Sequence, residues 1–338
     1  MKHNIKGFAI AAAALALVFA SSAAQKASAQ NLTGAGSTFI NPIMTQWIAS
    51  YKASTGVSVN YQSIGSGGGI TALIGRTVDF AGSDAPMNAQ QLAAANGPVV
   101  HLPAVIGTEC IAYNVPGIGP GIHLTGPVVA DIYLGEISYW DDSRITKLSP
   151  GTKFPHERIF VAHRSDGSGT TYIFTDYLSK ISPQWKSEVG KGTSVHWRVG
   201  LGGKGNEGVS GLLKTHAYSI GYIELAYAVQ NVIPYAAVEN ASQKFIYPSA
   251  ESGSLAALGV VMPADMRVSI TNTHNHNGYP ITGFSWMIIP VSSPKAQELK
   301  QFATWVITKG QKYCGQLDYA PVPLGVVRRE LEMIKTIH

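Results

Sequence analysis

Apolar residues recur at helical spacing over 39–51, with Phe39, Ile43 and Trp47 on one face and Ile40 and Met44 beside them, which predicts an amphipathic helix. The next stretch, VSVNYQSIG, alternates Val57, Val59 and Tyr61 with polar residues, the period of a half-buried strand. GGGITALIG then reads as a glycine turn opening a short helix, VDFAGSD as a strand, and NAQQLAAAN as a helix capped by Asn88. A second series follows the same logic: helix PVVADIYLGEI, strand RIFVAH, a helix after Gly169, and strands SIGYIE and VIPYAAV. Strand alternating with helix predicts βαβ units, an α/β fold with mainly parallel sheets and helices on both faces. Two longer apolar runs break this rhythm, PAVIGTECIAYNV (103–115) and PITGFSWMIIP (280–290), and they predict strands crossing between two lobes. Helices over 294–314 and 325–337 close the chain.

The N-terminus obeys a different pattern. Lys2 and Lys6 precede an apolar run over 7–20, and Ala27-Ser28-Ala29 forms a small-x-small cleavage site, with Ser22-Ala23-Ala24 as a second candidate. The run is about 14 residues, short of the ~20 that span a bilayer, so residues 1–29 read as a cleavable secretory signal peptide. The remaining chain of about 309 residues exceeds the size at which one core usually divides, which predicts lobe 1 from 30–108 with 285–338 and lobe 2 from 109–284. Loss of Lys2, Lys6 and Lys26 leaves 22 Lys and Arg against 20 Asp and Glu, a net charge of +2. Near neutrality, with no basic stripe interleaved with aromatics, argues against nucleic acid as a partner. The two cysteines, Cys110 and Cys314, allow either one disulfide or two separate thiols.

Candidate chemistry concentrates in three Gly/Ser/Thr turns that each lead into a helix: GAGSTF (34–39), GSGGG (65–69) and DGSGTT (166–171). A helix start exposes unpaired backbone N–H groups and a partial positive charge, which suits an anion, and glycine allows close approach. Two turns come from the first lobe and one from the second. Arg164 adds a forked donor, and Asp166 stands two residues on, placed to pair with it. Asp84 is the informative acid: beside an anion it repels, unless that anion carries a proton to donate, as phosphate does and sulfate does not. No GxxxxGK[ST] motif occurs, and Asp166 stands where a nucleophile elbow needs glycine. His274 and His276 in HNHNG lack further ligands nearby and read as a solvated turn, so no metal and no cofactor are expected.

The segments LTGAGSTFINPI, VNYQSIGSGGGI, TVDFAGSDAPMN, DIYLGEISYWDD, RSDGSGTT, GLGGKGNEGVSG, SIGYIELAYA and LDYAPVP, in this order over 32–324, resemble the exported phosphate-binding proteins that serve ABC phosphate importers. The resemblance implies a two-lobed periplasmic binding protein fold of type II, without catalysis. It implies phosphate contacts at Thr38, Phe39 (through its backbone), Ser66, Asp84 as proton acceptor, Arg164, Ser168, Gly169 and Thr170, with Asp166 supporting Arg164. It further implies a periplasmic monomer whose partners are inorganic phosphate and the membrane permease subunits of an importer. His163 replaces a common second arginine and by alternation points away from Arg164; Gly67 replaces a frequent serine and keeps only its N–H. The competing expectation is an exported phosphoester hydrolase with Ser168 or Ser66 as nucleophile and His163 as base.

Overall fold

The structure, a computed structural model, describes residues 31–338, so the expected signal peptide lies outside the described residues. In chain order the first elements are β1 (Leu32–Gly36), α1 (Asn41–Thr55), β2 (Val59–Ser63), α2 (Ser66–Ile74), β3 (Phe80–Ser83), α3 (Ala89–Ala94) and β4 (Val99–Asn114). Next follow β5 (His123–Leu124), α4 (Gly126–Leu134), α5 (Ser143–Thr146), β6 (Phe160–Arg164), α6 (Gly169–Ile181), α7 (Pro183–Glu188), β7 (Leu201–Gly203), α8 (Gly205–Thr215) and β8 (Ser219–Glu224). Then come α9 (Leu225–Asn231), β9 (Ala237–Glu239), β10 (Phe245–Ile246), α10 (Ala250–Ala257), β11 (Thr282–Pro290), α11 (Ala296–Ile307) and α12 (Leu324–Lys335).

One eight-stranded sheet, ordered β2-β1-β3-β11-β4-β8-β6-β7, runs through both lobes. The two extended runs are its seam. Strand β4 pairs through Val99–Thr108 with β11 and through Glu109–Asn114 with β8. Because one seam strand leaves the first lobe and the other returns, both pairings of β4 and that of β11 with β3 are antiparallel. The outer pairs, β1 with β2 and β3 and β6 with β7 and β8, are parallel, as βαβ connections require.

Alternation along each strand sends side chains to opposite cores. In the first lobe Phe80 packs with Trp47, Tyr51 and Phe302, whereas Ala81 packs with Ile70 and Leu73 of α2. In the second, Ile111 and Tyr113 join Tyr133, Phe174 and Tyr222, while Cys110 and Ala112 meet Val209 and Leu213 of α8. Both cysteines are buried free thiols, and burial pushes the Cys314 thiol up to about 12. Within 109–284 one stretch turns the other way: Ala257, Met262, Met266 and Ile270 bury their side chains with Ile70, Leu73 and Met87.

Local reading failed in three places. Helix α8 carries Gly205, Gly208 and Gly211 and resembles a loop in sequence, yet Val209 and Leu213 bury one of its faces. A Cβ on Gly203 would lie 2.6 Å from the Gly208 carbonyl carbon, so the glycines there serve close strand–helix packing. VIPYAAV yields only the short β9, since Pro234 cannot donate; its carbonyl instead accepts from Tyr113 N–H at 2.9 Å. The expected helix over 294–314 ends at Ile307 and continues as a 3₁₀ helix over Lys309–Leu317. No helix among the described residues is long and apolar enough to cross a membrane.

Candidate anion-binding site

Each predicted site residue sits at the carboxyl end of a strand or the start of the helix after it, the general ligand position in open α/β sheets. Thr38 and Phe39 follow β1, Ser66 opens α2, Asp84 follows β3, Arg164 ends β6, and Ser168–Thr170 open α6. All are buried; Arg164, the most exposed with Thr38, reaches 3%. The structure brings the groups of the two lobes against one another. A Cβ built on Gly169 would lie 2.4 Å from Asp84 Oδ2 and 2.4 Å from Ser66 Oγ, so only glycine fits there. Gly67 N–H donates to the Gly167 carbonyl at 2.8 Å, and Tyr227 Oη donates to the Thr38 carbonyl at 2.7 Å.

Donors dominate the enclosed space. The backbone N–H groups of Thr38, Phe39, Ser66, Gly169 and Thr170 have no hydrogen-bond acceptor among the described residues. Buried N–H groups without partners are rare and costly, so five from three separate turns mark a place built to receive an acceptor. Three side-chain hydroxyls also keep a proton to donate. Thr38 Oγ1 accepts from Asn206 N–H at 3.1 Å and from Asn206 Nδ2 at 2.8 Å, which fills its lone pairs and leaves its proton to donate. Thr170 Oγ1 likewise accepts from Arg164 Nη1 at 3.0 Å and Asn206 Nδ2 at 3.2 Å. Ser168 Oγ caps α6 by accepting from Thr171 N–H at 3.0 Å, again keeping its proton free.

Arg164 makes a two-bond fork to Asp166, Nε to Oδ1 at 2.8 Å and Nη2 to Oδ2 at 2.5 Å. With Nη1 on Thr170, three of its five N–H groups are used and two remain. Burial pushes the Asp166 carboxyl up, but the Arg164 hydrogen bonds and charge and the Gly205 N–H outweigh it and hold it below the usual range. The pair is therefore ionised and nearly neutral as a unit.

Asp84 is the acid of this wall that has no cationic side chain bonded to it among the described residues. Ser37 Oγ donates to it at 2.6 Å, Ser285 Oγ at 2.6 Å, and Ser66 Oγ more loosely at 3.3 Å. Burial raises its carboxyl to about 6, against the hydrogen bonds from Ser285 and Ser37, the Arg164 charge and the Ser66 hydroxyl. At neutral pH it is a carboxylate, able to accept a proton.

Three contributors escaped the sequence reading: Ser37, Ser285 and Asn206. Ser37 was hidden inside a quoted turn, and Ser285 lies in the seam strand β11, 201 residues from Asp84. Asn206 sits in the unpredicted α8, where it joins Thr38, Thr170 and, through Oδ1, the Glu224 N–H at 2.9 Å. The signal lost there was the polar residue just inside a Gly-rich helix start. Gly67 N–H donates across to the Gly167 carbonyl of the opposite lobe.

The hydrolase constellation is not assembled. His163 stacks on Trp197 with ring centres 4.7 Å apart and its Nδ1 meets the Arg164 carbonyl at 3.0 Å, facing away from the serines. Burial lowers its pKa against those backbone contacts. Ser66 Oγ donates only loosely to Asp84, at 3.3 Å, and Ser168 is a helix cap, so neither serine is paired with His163.

The PBP superfamily domain (PBP_like_2) matches residues 21–309. The phosphate-binding protein PstS of Xylella fastidiosa is 43% identical over 312 residues, 90% of this chain and 85% of that protein. That of Haemophilus influenzae is 44% identical over 307 residues, 89% of this chain and 91% of that one. Among solved structures, a high affinity periplasmic phosphate-binding protein (PfluDING) bound with phosphate aligns at TM-score 0.73 and 20% identity, covering 88% of this chain and 92% of that chain. A phosphate-binding protein from Stenotrophomonas maltophilia aligns at TM-score 0.69 and 17% identity, covering 90% and 93%. The last two likenesses carry the two-lobed fold, and the curated relatives carry more: the chain belongs to the PstS family of phosphate-binding proteins.

Proposed function

We propose that this chain captures inorganic phosphate between its lobes and delivers it to the permease subunits of an ABC importer, as an exported, periplasmic binding protein. The lobe divide in this reading lies at Thr108–Glu109 of β4, and the chain returns to the first lobe through residues 257–271 and β11. Thr38, Phe39, Ser66, Arg164, Ser168, Gly169 and Thr170 donate to the phosphate oxygens, and Asp84 accepts its proton. Drying a phosphate costs several kcal/mol. Against that, each charge-assisted hydrogen bond contributes ~1.5–3 kcal/mol net. Donors from both lobes are needed to tip the balance, so binding and closure are one event. No bond in the ligand is cleaved, in keeping with His163 stacking on Trp197 instead of pairing with either serine. The observation that carries the reading is the set of five buried N–H groups without an acceptor among the described residues, in three turns of which the second-lobe one packs Gly169 against Asp84 and Ser66. Calorimetric titration with phosphate and then with sulfate at neutral pH tests it. Tight phosphate binding with sulfate at least 100-fold weaker is expected; equal affinities, or no binding of phosphate, would overturn it.

A further inference from the structure

Away from the candidate site, Asp176 of α6 forms a second polar junction between the lobes. Its Oδ2 accepts from Ser269 Oγ at 2.6 Å and from Thr271 Oγ1 at 2.6 Å, and its Oδ1 accepts from Lys191 Nζ at 2.8 Å. Lys180 Nζ lies 3.0 Å from Oδ2 and also donates to Ser269 Oγ at 2.8 Å and Thr271 Oγ1 at 2.7 Å. The carboxylate is 2% exposed, although it serves no ligand in the reading above.

The two halves of this junction are anchored to different bodies. Asp176 rides on α6, whose Phe174 stacks on Tyr222 at 4.3 Å and whose Thr171 Oγ1 is 2.7 Å from Tyr222 Oη, both inside the second lobe. Ser269 and Thr271 flank Ile270, which packs with Ile70, Leu73 and Met87 of the first lobe. Their strand of chain is tied there again by Arg267 Nη1 to the Met87 carbonyl at 3.1 Å and Trp286 Nε1 to the Met266 carbonyl at 2.9 Å. Separation of the lobes must therefore break the contacts of Ser269 and Thr271 to Asp176 and Lys180 while leaving the ion pairs of Asp176 with Lys180 and Lys191 intact. The junction also borders a cavity of about 200 Å³ that reaches from Asp84 past Trp286 to Asp176, Lys191, Ser269 and Thr271. It thus spans the crevice beside the buried acceptor.

We infer that the Asp176–Ser269–Thr271 junction is an interlobe latch that holds the closed form and slows release of phosphate. The inference rests on the phosphate reading. Lys180 and Lys191 act as positioning residues: they keep Asp176 ionised and aimed at the hydroxyls. Against the upward push of burial, their bonds and those of the hydroxyls hold the carboxyl down to about 2, so the latch is set throughout the working pH range. Opening breaks the bonds of the two hydroxyls and that of Lys180 Nζ to the Thr271 carbonyl at 3.0 Å, and parts no ion pair, so water can replace each lost partner and the latch is reversible.

The test uses the full mature chain loaded with radiolabelled inorganic phosphate and chased with excess unlabelled phosphate. The double variant Ser269→Ala/Thr271→Val keeps every charge and removes only the first lobe's half of the latch. Loss of two bonds to a carboxylate predicts release about tenfold faster or more, with association changed less than about threefold. Ser269→Ala alone, a milder change should the double variant fold poorly, gives an intermediate release rate with an unaltered melting temperature. A merely structural role would lower the melting temperature and leave the release rate alone. Binding by the wild type with unchanged release in the folded variants overturns the latch and spares the phosphate reading. Failure of the wild type to bind phosphate overturns both.

Discussion

Replacing Asp84 by Asn tests the selectivity argument at its source. The side chain keeps its shape and one carbonyl oxygen, so Ser37 and Ser285 retain an acceptor and the fold is preserved. Two quantities change. Phosphate loses a charge-assisted bond to a carboxylate, worth ~1.5–3 kcal/mol, and binds about 10- to 150-fold more weakly. Sulfate no longer faces a buried charge without a proton between them, and gains the amide as a donor, worth ~1–3 kcal/mol in the other direction. The ratio of the two affinities should therefore contract by ~2.5–6 kcal/mol, or at least about 50-fold. Competition calorimetry, with each anion displacing the other, reads this ratio directly. Acid provides an independent arm. In the ligand-free wild type the Asp84 carboxyl titrates near 6, so discrimination is full above that pH and erodes as pH falls through it, when the protonated acid becomes a donor to sulfate. The Asn variant should show no such erosion. An unchanged affinity ratio in Asp84→Asn, or identical pH profiles for the two proteins, would refute the role assigned to Asp84.

Arg164→Ala removes the fork and two free N–H groups and leaves Asp166 held chiefly by the Gly205 N–H at 3.0 Å; phosphate affinity should fall by at least ~2 kcal/mol in calorimetry. Gly169→Ala adds a methyl 2.4 Å from both Asp84 Oδ2 and Ser66 Oγ, so closure is blocked and affinity drops at least about 100-fold. Its melting temperature should stay within a few degrees of wild type, since alanine suits the first turn of α6. Glu330 of α12 is fully buried with neither carboxyl oxygen partnered among the described residues, and burial raises its pKa well above the usual range. Its folded form keeps a proton that the unfolded chain releases, so stability is greatest below the ordinary carboxylate pKa and falls as pH rises. Glu330→Met should flatten that decline and raise the melting temperature near neutral pH, as followed by circular dichroism between pH 4 and pH 8.

The periodic parts of the fold were legible because each amphipathic element reports its own burial. Val59 and Tyr61 alternate as a strand must, and Asn88 caps α3 through Gln91 N–H as its position suggests. The seam strands declared themselves by length, as 16 and 9 residues of nearly continuous burial leave no polar face. What stayed hidden was tertiary. Nothing near Ser285 points to an acid 201 residues earlier, and Asn206 lies in a glycine-rich segment whose helicity comes from packing Val209 and Leu213 rather than from propensity. The return of residues 257–270 to the first lobe was equally invisible, because an apolar Met or Ile does not state which core it enters. The three turns were readable for the opposite reason: their chemistry is local, a run of backbone donors and hydroxyls at a helix start.

The charges of the site do not by themselves attract an anion. Arg164 is neutralised by Asp166 at hydrogen-bond distance, and Asp84 adds a negative charge once the pH exceeds about 6. Counted as ions, the wall is negative. Its attraction comes from dipoles, the N–H groups of Thr38, Phe39, Ser66, Gly169 and Thr170 at three helix approaches, each fixed by the fold before a ligand arrives. Such dipoles fall off steeply with distance, so they act on a small anion only after it has entered and shed its water, and do little to a charge outside. A site made this way rejects anions by geometry and proton count rather than admitting them by charge. In the proposed reading a buried aspartate, a liability in any site that worked by charge, is therefore the residue on which discrimination turns.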